Sequence, residues 1–153
     1  MSLINDRLKE LNIVLPPAPA PAANYVPYVK SNKLIFVSGQ IPMLNGELVT
    51  GKISKNIEIE DAKTAARLCG LAIVSQLNEA TDLNLDKIKR IVKLGGFVNC
   101  VDEFTQQPEI INGASDLMVE VFGDKGKHSR FAVGTNSLPR NVVVEIEAIA
   151  EIH

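Results

Sequence analysis

The chain has few of the residues that build metal centres and disulfide frameworks. Its only two cysteines, Cys69 and Cys100, lie far apart in sequence, and neither has a histidine nearby. Two histidines, His128 and His153, are likewise too few for the spaced ligand sets that zinc sites use. We therefore expect reduced thiols and no metal site.

A surplus of either charge is also missing. With 16 basic and 18 acidic residues, the formal net charge of −2 offers little attraction to phosphate backbones or anionic membranes. No run of 18 apolar residues could span a bilayer, and charges interrupt residues 1–15 where a signal peptide would be uniformly apolar. We expect a cytoplasmic protein without membrane or nucleic-acid partners.

The 153 residues, 46% of them hydrophobic, suit one globular domain with a real core. Leu3, Leu8 and Leu11 predict a short amphipathic helix, and the run PPAPAPAA at 16–23 predicts an extended spacer with no ligand role. The expected organisation is an N-terminal helix and Pro-rich extension at 1–24, followed by a single domain at 25–153.

Apolar periodicity predicts an order of elements that can be written ββ(β)αβαββ. Two helices would cover one face of a mixed sheet, which makes the fold α+β. The other face would carry Phe97, Ile91, Val143 and Ile149 beside charges, so we expect it to be buried in a homo-oligomer. The predicted elements are strands at 25–29 and 34–38, a tight turn at Asn45-Gly46, a helix at 58–80, a strand at 88–100, a helix from 106 or 109 to 122, and strands from near 129 and 142.

Two strands show alternating apolar residues. In the strand at 88–100, the even positions, including Ile88, Val92 and Leu94, are predicted to share one face. In the last strand the even positions from Val142 to Ile152 are all apolar and predict a core face, whereas the odd positions include three glutamates.

Arg130 stands in an apolar strand where another Val or Ile would be ordinary. It shares a face with Ala132 and Gly134, whose small side chains leave room, while Phe131 and Val133 are predicted to enter the core. A guanidinium beside such small residues suits a small carboxylate ligand, because the planar group can donate hydrogen bonds to both carboxylate oxygens. The alternative is an ion pair with a glutamate of the neighbouring strand, Glu145 or Glu147.

Other reactive side chains favour structural interpretations. Cys69 lies on the apolar stripe of the helix at 58–80, so it is predicted to be a buried small hydrophobe. His128 is two residues from Arg130 and is predicted to be a solvated loop histidine; the alternative is that the strand already includes it, so that it points toward the same site as Arg130.

Three segments in this order resemble the RidA family, also called YjgF or L-PSP. They are SGQIP at 38–42, the strand of Arg130, and Leu138-Pro139 followed by VEIEAIA at 144–150. The resemblance covers the chain from Tyr25 onward and implies a longer branch with an N-terminal extension. It implies a chorismate-mutase-like α+β fold, with a mixed sheet, two helices on one face, and a homotrimer with clefts at the subunit interfaces.

The resemblance also implies an activity. The best-understood members of the family hydrolyse reactive enamines and imines, such as 2-aminoacrylate, to a 2-oxo acid and ammonia without any cofactor. By this resemblance the chain is a 2-iminobutanoate/2-iminopropanoate deaminase-like hydrolase, and its ligands are small carboxylate-bearing imines, enamines or 2-oxo acids.

Matching by position assigns roles to seven residues. Arg130 matches the arginine that clamps the substrate carboxylate, Glu145 the acid that orients the attacking water, and Tyr25 a cleft tyrosine. The remaining substrate-binding positions are Ser38, Gly39, Asn112 and Ala132, the last standing where the family often has a cysteine.

Two other functions stay open. One is a trimer that binds small carboxylate metabolites and regulates without catalysis. The weaker one is an endoribonuclease or translation inhibitor, which the family's names suggest but which the mildly acidic composition and the missing basic-aromatic stripe disfavour.

Overall fold

The computed structural model describes residues 2–20 and 23–153. Each helix and strand is numbered in chain order. The helices are α1 (Leu3–Glu10), α2 (Ile59–Ala80) and α3 (Gln107–Phe122), and the strands are β1 (Tyr28–Ser31), β2 (Leu34–Gln40), β3 (Met43–Leu44), β4 (Glu47–Leu48), β5 (Ile88–Asn99), β6 (Ser129–Thr135) and β7 (Val144–Ile152).

The main sheet has the strand order β1-β2-β7-β5-β6. All neighbours pair antiparallel except β5 and β6, which are parallel, so the sheet is mixed. The connection between β5 and β6 contains α3, as parallel neighbours require a long crossover. The predicted α+β architecture, with α2 and α3 packed on one face of the sheet, is confirmed.

The helices form where the apolar stripe predicts them. Pro108 is in the first turn of α3, and Gly123, at φ 60°, ends it. Helices α2 and α3 approach closely at Gly70, where a Cβ would lie 2.9 Å from a Leu117 methyl. Cys69 is buried as predicted, and burial raises the pKa of its thiol. No helix in the described ranges combines the length and apolarity needed to cross a bilayer.

Strand β7 follows its predicted alternation. Residues Val144, Ile146, Ala148 and Ala150 are at most 2% exposed and face the helices. The odd positions, which include Glu145, lie on the opposite face of the sheet, where no helix of residues 2–20 and 23–153 packs. We call this the open face.

Strand β5 departs from the predicted alternation. Its pairing with β7 shifts register between Ile88 and Arg90 and again between Ile91 and Lys93. Each shift moves the following residues to the other face. Ile91 is therefore fully buried and Val92 only half-buried, the reverse of the prediction.

The open face carries exposed apolar side chains. Phe36, Phe97 and Val133 are 38–41% exposed, and Phe131 packs edge-on against Phe97 with ring centroids 5.3 Å apart. The prediction that Phe131 and Val133 enter the core was wrong, since alternation separates two faces without saying which one the helices cover. Of the residues predicted for the open face, Ile91 and Val143 are instead fully buried.

The N-terminal segment is held against the domain. Both oxygens of Asp86 accept hydrogen bonds from the start of α1, including 2.9 Å from the Leu3 amide. The Ser75 hydroxyl donates to the Pro16 carbonyl at 2.8 Å. The extended spacer predicted at 16–23 is therefore held against α2 at Pro16, and its residues 21 and 22 lie outside the described residues.

Candidate functional site

A cavity of about 260 Å³ lies beside the end of β2. Its lining includes four of the predicted site residues, Tyr25, Ser38, Gly39 and Glu145. The pairing of β2 with β7 breaks between Val37 and Gln40, which leaves Ser38 and Gly39 as a bulge next to Glu145. Bulges of this kind re-aim side chains and are frequent beside active sites.

The hydroxyl of Ser38 holds the segment that carries Tyr25. Its Oγ donates a 2.7 Å hydrogen bond to the carbonyl of Val26. Tyr25 itself precedes β1 and is 51% exposed, so the strand predicted to begin there begins three residues later. Ser38 thus positions the tyrosine and presents only its oxygen lone pairs to a ligand.

Glu145 is a half-buried residue whose side chain lines this cavity. Burial raises its pKa, and the nearby charge of Glu147 raises it further. Its Oε1 lies so close to Gly39 that a Cβ at that position would overlap it. The absence of a side chain at Gly39 therefore makes room for a carboxyl whose basicity is increased.

The guanidinium of Arg130 is anchored on α3. Its Nη1 donates to Asn112 Oδ1 at 2.7 Å and to Ser115 Oγ at 3.0 Å, two residues that lie one helical turn apart. Both hydrogens of Nη1 are thereby used. Within the described part of the chain, Nε and Nη2 donate to no acceptor, and the edge that they form can bind the two oxygens of a carboxylate.

His128 completes this network. Its Nδ1 lies 2.6 Å from the Gly126 carbonyl, which can only accept, so Nδ1 is the donor. In the neutral ring, Nε2 then accepts the hydroxyl hydrogen of Ser115 at 2.9 Å. The prediction of a solvated histidine was wrong. Sequence reasoning missed Ser115, although its spacing of three from Asn112 places both on one helix face.

The ion pair considered for Arg130 is absent from the described residues. Strand β6 is an edge strand that pairs only with β5, so β7 and its glutamates are not its neighbours. Ala132, on the same face as Arg130, packs against the core. The open space predicted beside Arg130 is absent at Gly134, because a Cβ there would lie 2.8 Å from Cys100 Sγ and 2.9 Å from Gln107 Nε2.

The sheet separates Arg130 from Glu145 within one chain. Arg130 pairs in register with Leu94, which is fully buried under the helices, whereas Glu145 pairs with Phe97 on the open face. The residues of the candidate site therefore form two groups, which include six of the seven predicted positions and leave out Ala132. The cavity group contains Tyr25, Ser38, Gly39 and Glu145, and the arginine group contains Arg130, Asn112, Ser115 and His128.

Comparisons with known proteins identify the fold. The family model "YjgF/chorismate_mutase-like, putative endoribonuclease" matches residues 5–152. Protein TCP17 of Trypanosoma cruzi is 45% identical over 148 residues, 95% of this chain and 92% of that protein. The crystal structure of Atu1372, a protein of unknown function from Agrobacterium tumefaciens, is 48% identical with a TM-score of 0.91, covering 98% of this chain and 92% of that chain.

A more distant structure is that of E. coli TdcF with bound serine. It is 25% identical with a TM-score of 0.60, covering 89% of this chain and 94% of that chain. Family membership supports a general role in small-molecule processing or an endoribonuclease-like role. The match along nearly the whole chain, together with the predicted motifs in their places on the sheet, shows that this protein belongs to the YjgF/chorismate-mutase-like family, also called RidA.

Proposed function

We propose that the protein is a hydrolytic deaminase of reactive enamines and imines, which releases a 2-oxo acid and ammonia. The observation that carries this proposal is Glu145, a half-buried carboxyl of raised pKa in a cavity that would suit a small metabolite. Such a group is a suitable general base near neutral pH. The Nε and Nη2 edge of the Arg130 guanidinium is the group that would bind the substrate carboxylate.

The chemistry needs little beyond orientation. An imine conjugated to a carboxylate is already electrophilic, so holding it beside a water supplies much of the acceleration. The water oxygen bonds to the imine carbon while Glu145 takes a proton from that water. As the carbon–nitrogen π electrons move to the nitrogen, the protonated Glu145 gives that atom the proton, and a carbinolamine forms. Glu145 then takes the hydroxyl proton of the carbinolamine and passes it to the nitrogen. The carbonyl forms as the carbon–nitrogen bond breaks, and ammonia leaves with the 2-oxo acid as the other product.

The proposal requires two copies of the chain at each site, because the sheet separates the two groups in one chain. The apolar side chains of the open face support such an assembly, since Phe36, Phe97 and Val133 remain substantially exposed in a single chain. We propose a homotrimer in which the arginine group of one copy faces the cavity group of the next.

A second candidate function is a trimer that binds small carboxylate metabolites without turning them over. The structure of E. coli TdcF with bound serine favours it, because serine carries the carboxylate that Arg130 is suited to grip. An endoribonuclease is less favoured. The formal net charge of −2 gives the chain no electrostatic excess for RNA.

The test is release of ammonia and 2-oxo acid from enzymatically generated 2-aminoacrylate and from bulkier imino acids. Arg130→Ala is compared with Arg90→Ala, an exposed arginine of β5, and the oligomer size of each variant is measured. We expect acceleration that is lost only in Arg130→Ala. Binding of a 2-oxo acid without any acceleration over background would favour the binding function instead.

A further inference from the structure

The turn before β7 has an unusual backbone. Arg140 and Asn141 follow each other with φ of 54° and 59°, both in the left-handed region. Asparagine tolerates this region, but arginine meets a steric cost there, so Arg140 keeps this backbone only where the surroundings impose it. Strained positions of this kind cluster at ligand-binding sites.

A buried amide imposes this backbone. Asn99 is 1% exposed, and its Nδ2 lies within hydrogen-bonding distance of the Val142 carbonyl at 3.2 Å, the Gly51 carbonyl at 3.0 Å and Asn141 Oδ1 at 3.4 Å. The Gly51 amide in turn donates to the Asn141 carbonyl at 2.9 Å. The turn is therefore tied to two other segments, which fixes the point from which Arg140 projects.

Arg140 lines the same cavity as Glu145 and Ser38. It is exposed, and no carboxylate in residues 2–20 and 23–153 lies within 4.0 Å of its guanidinium. None of the six ion pairs in those residues includes Glu145 or any other residue that lines this cavity. The raised pKa of Glu145 is consistent with the absence of an ion pair between Arg140 and Glu145, since a paired arginine would lower that pKa.

We propose that Arg140 is an anion-binding residue of this cavity, and that the preferred ligands carry a second acidic group, as dicarboxylic imino acids and 2-oxo acids do. The inference rests on the proposed function for the first carboxylate, which Arg130 of a neighbouring copy grips. Arg140 then binds the distal carboxylate, and the fork of a guanidinium matches its two oxygens. Asn99 is a positioning residue that fixes the turn.

The experiment compares two ligands that differ in one group. 2-Oxoglutarate carries a second carboxylate where 2-oxopentanoate has a methyl group, and calorimetry gives the Kd of each. We expect the wild-type protein to bind 2-oxoglutarate about tenfold or more tightly, as a charge-assisted contact provides. Arg140→Gln removes the preference and leaves 2-oxopentanoate binding unchanged, while Arg140→Lys, which keeps the charge but loses the fork, retains part of it.

Arg90→Gln is the matched control and keeps the preference. An equal Kd for the two ligands in the wild-type protein, or a preference that survives in Arg140→Gln, overturns the inference. Because the readout is a ratio of binding constants, it is independent of turnover. A protein that prefers the dicarboxylate through Arg140 and hydrolyses no imine would refute the proposed deaminase and leave this inference standing.

Discussion

The carboxyl of Glu145 occupies the space that a side chain at Gly39 would need. Strand β2 bulges at this point, so the backbone of one strand and the acid of its neighbour are brought into contact. The contact involves the flexible end of the Glu145 side chain. A substitution at Gly39 can therefore test the position of this carboxyl with little effect on the fold.

Gly39→Ala is expected to displace the Glu145 carboxyl and lower kcat by about 10- to 100-fold, the range that a misplacement near 1 Å produces. Thermal unfolding should change little, since the carboxyl can rotate away. Adding Glu145→Asp, whose shorter side chain retracts the oxygen, should cost less in the Gly39→Ala background than in the wild type. Strict additivity of the two changes in a double-mutant cycle would contradict a direct contact.

The pH dependence of kcat/KM should report the protonation of Glu145. Because its pKa is raised, the acid limb of kcat/KM should lie above the ordinary glutamate range. Glu147→Gln removes a charge that raises this pKa, so the limb should move to lower pH. An unchanged limb in Glu147→Gln would assign it to a different group.

The free energy of unfolding should also depend on the protonation of Glu145. The folded carboxyl holds its proton at pH values where the unfolded chain has already lost it. The contribution of Glu145 to the free energy of unfolding is therefore fully present below the pKa that this carboxyl has in the unfolded chain. It is lost as the pH rises through the pKa of the folded protein. Denaturant unfolding across that interval should show a smaller decline in Glu147→Gln than in the wild-type protein.

Ser115→Ala removes one of the two acceptors that hold Nη1 of Arg130. Hydrogen bonds to charged groups contribute about 1.5–3 kcal/mol, so KM should rise roughly tenfold or more. The rise should exceed any fall in kcat, because the change affects the grip on the carboxylate. Ser115→Thr, which keeps the hydroxyl, should restore KM, and Ser137→Ala on an exposed loop is the control. A KM equal to wild type in Ser115→Ala would show that Asn112 alone suffices.

The proposed assembly can be tested with two valines of equal exposure. Val133 is 41% exposed on the open face, and Val119 is 40% exposed on α3. Val133→Asp should dissociate the protein and abolish activity, since a charge would be buried without a partner. Val119→Asp should leave both intact. Light scattering after gel filtration measures the mass of each variant, and a Val133→Asp protein of wild-type mass would contradict an interface on this face.

Several elements were predictable from local sequence. The tight turn at Asn45-Gly46 takes the positive φ values that these residues tolerate, and α3 ends at Gly123 as its glycine predicts. The alternation of β7 is uninterrupted, so its buried face was correctly predicted. In β5 the same reasoning failed, because two register shifts change which face a residue occupies without changing the apolar character of the sequence.

The sequence by itself determined the helices, the mixed sheet and the family, and it supplied the prediction of the site residues. Such information resides in periodicity, turn residues and short motifs. Only the tertiary structure decided that Arg130 turns toward Asn112 and Ser115 on α3 while Glu145 faces the other side of the sheet. It alone placed Arg140 in the cavity, through a turn held by Asn99. These relationships depend on contacts between segments distant in sequence, which no local pattern encodes.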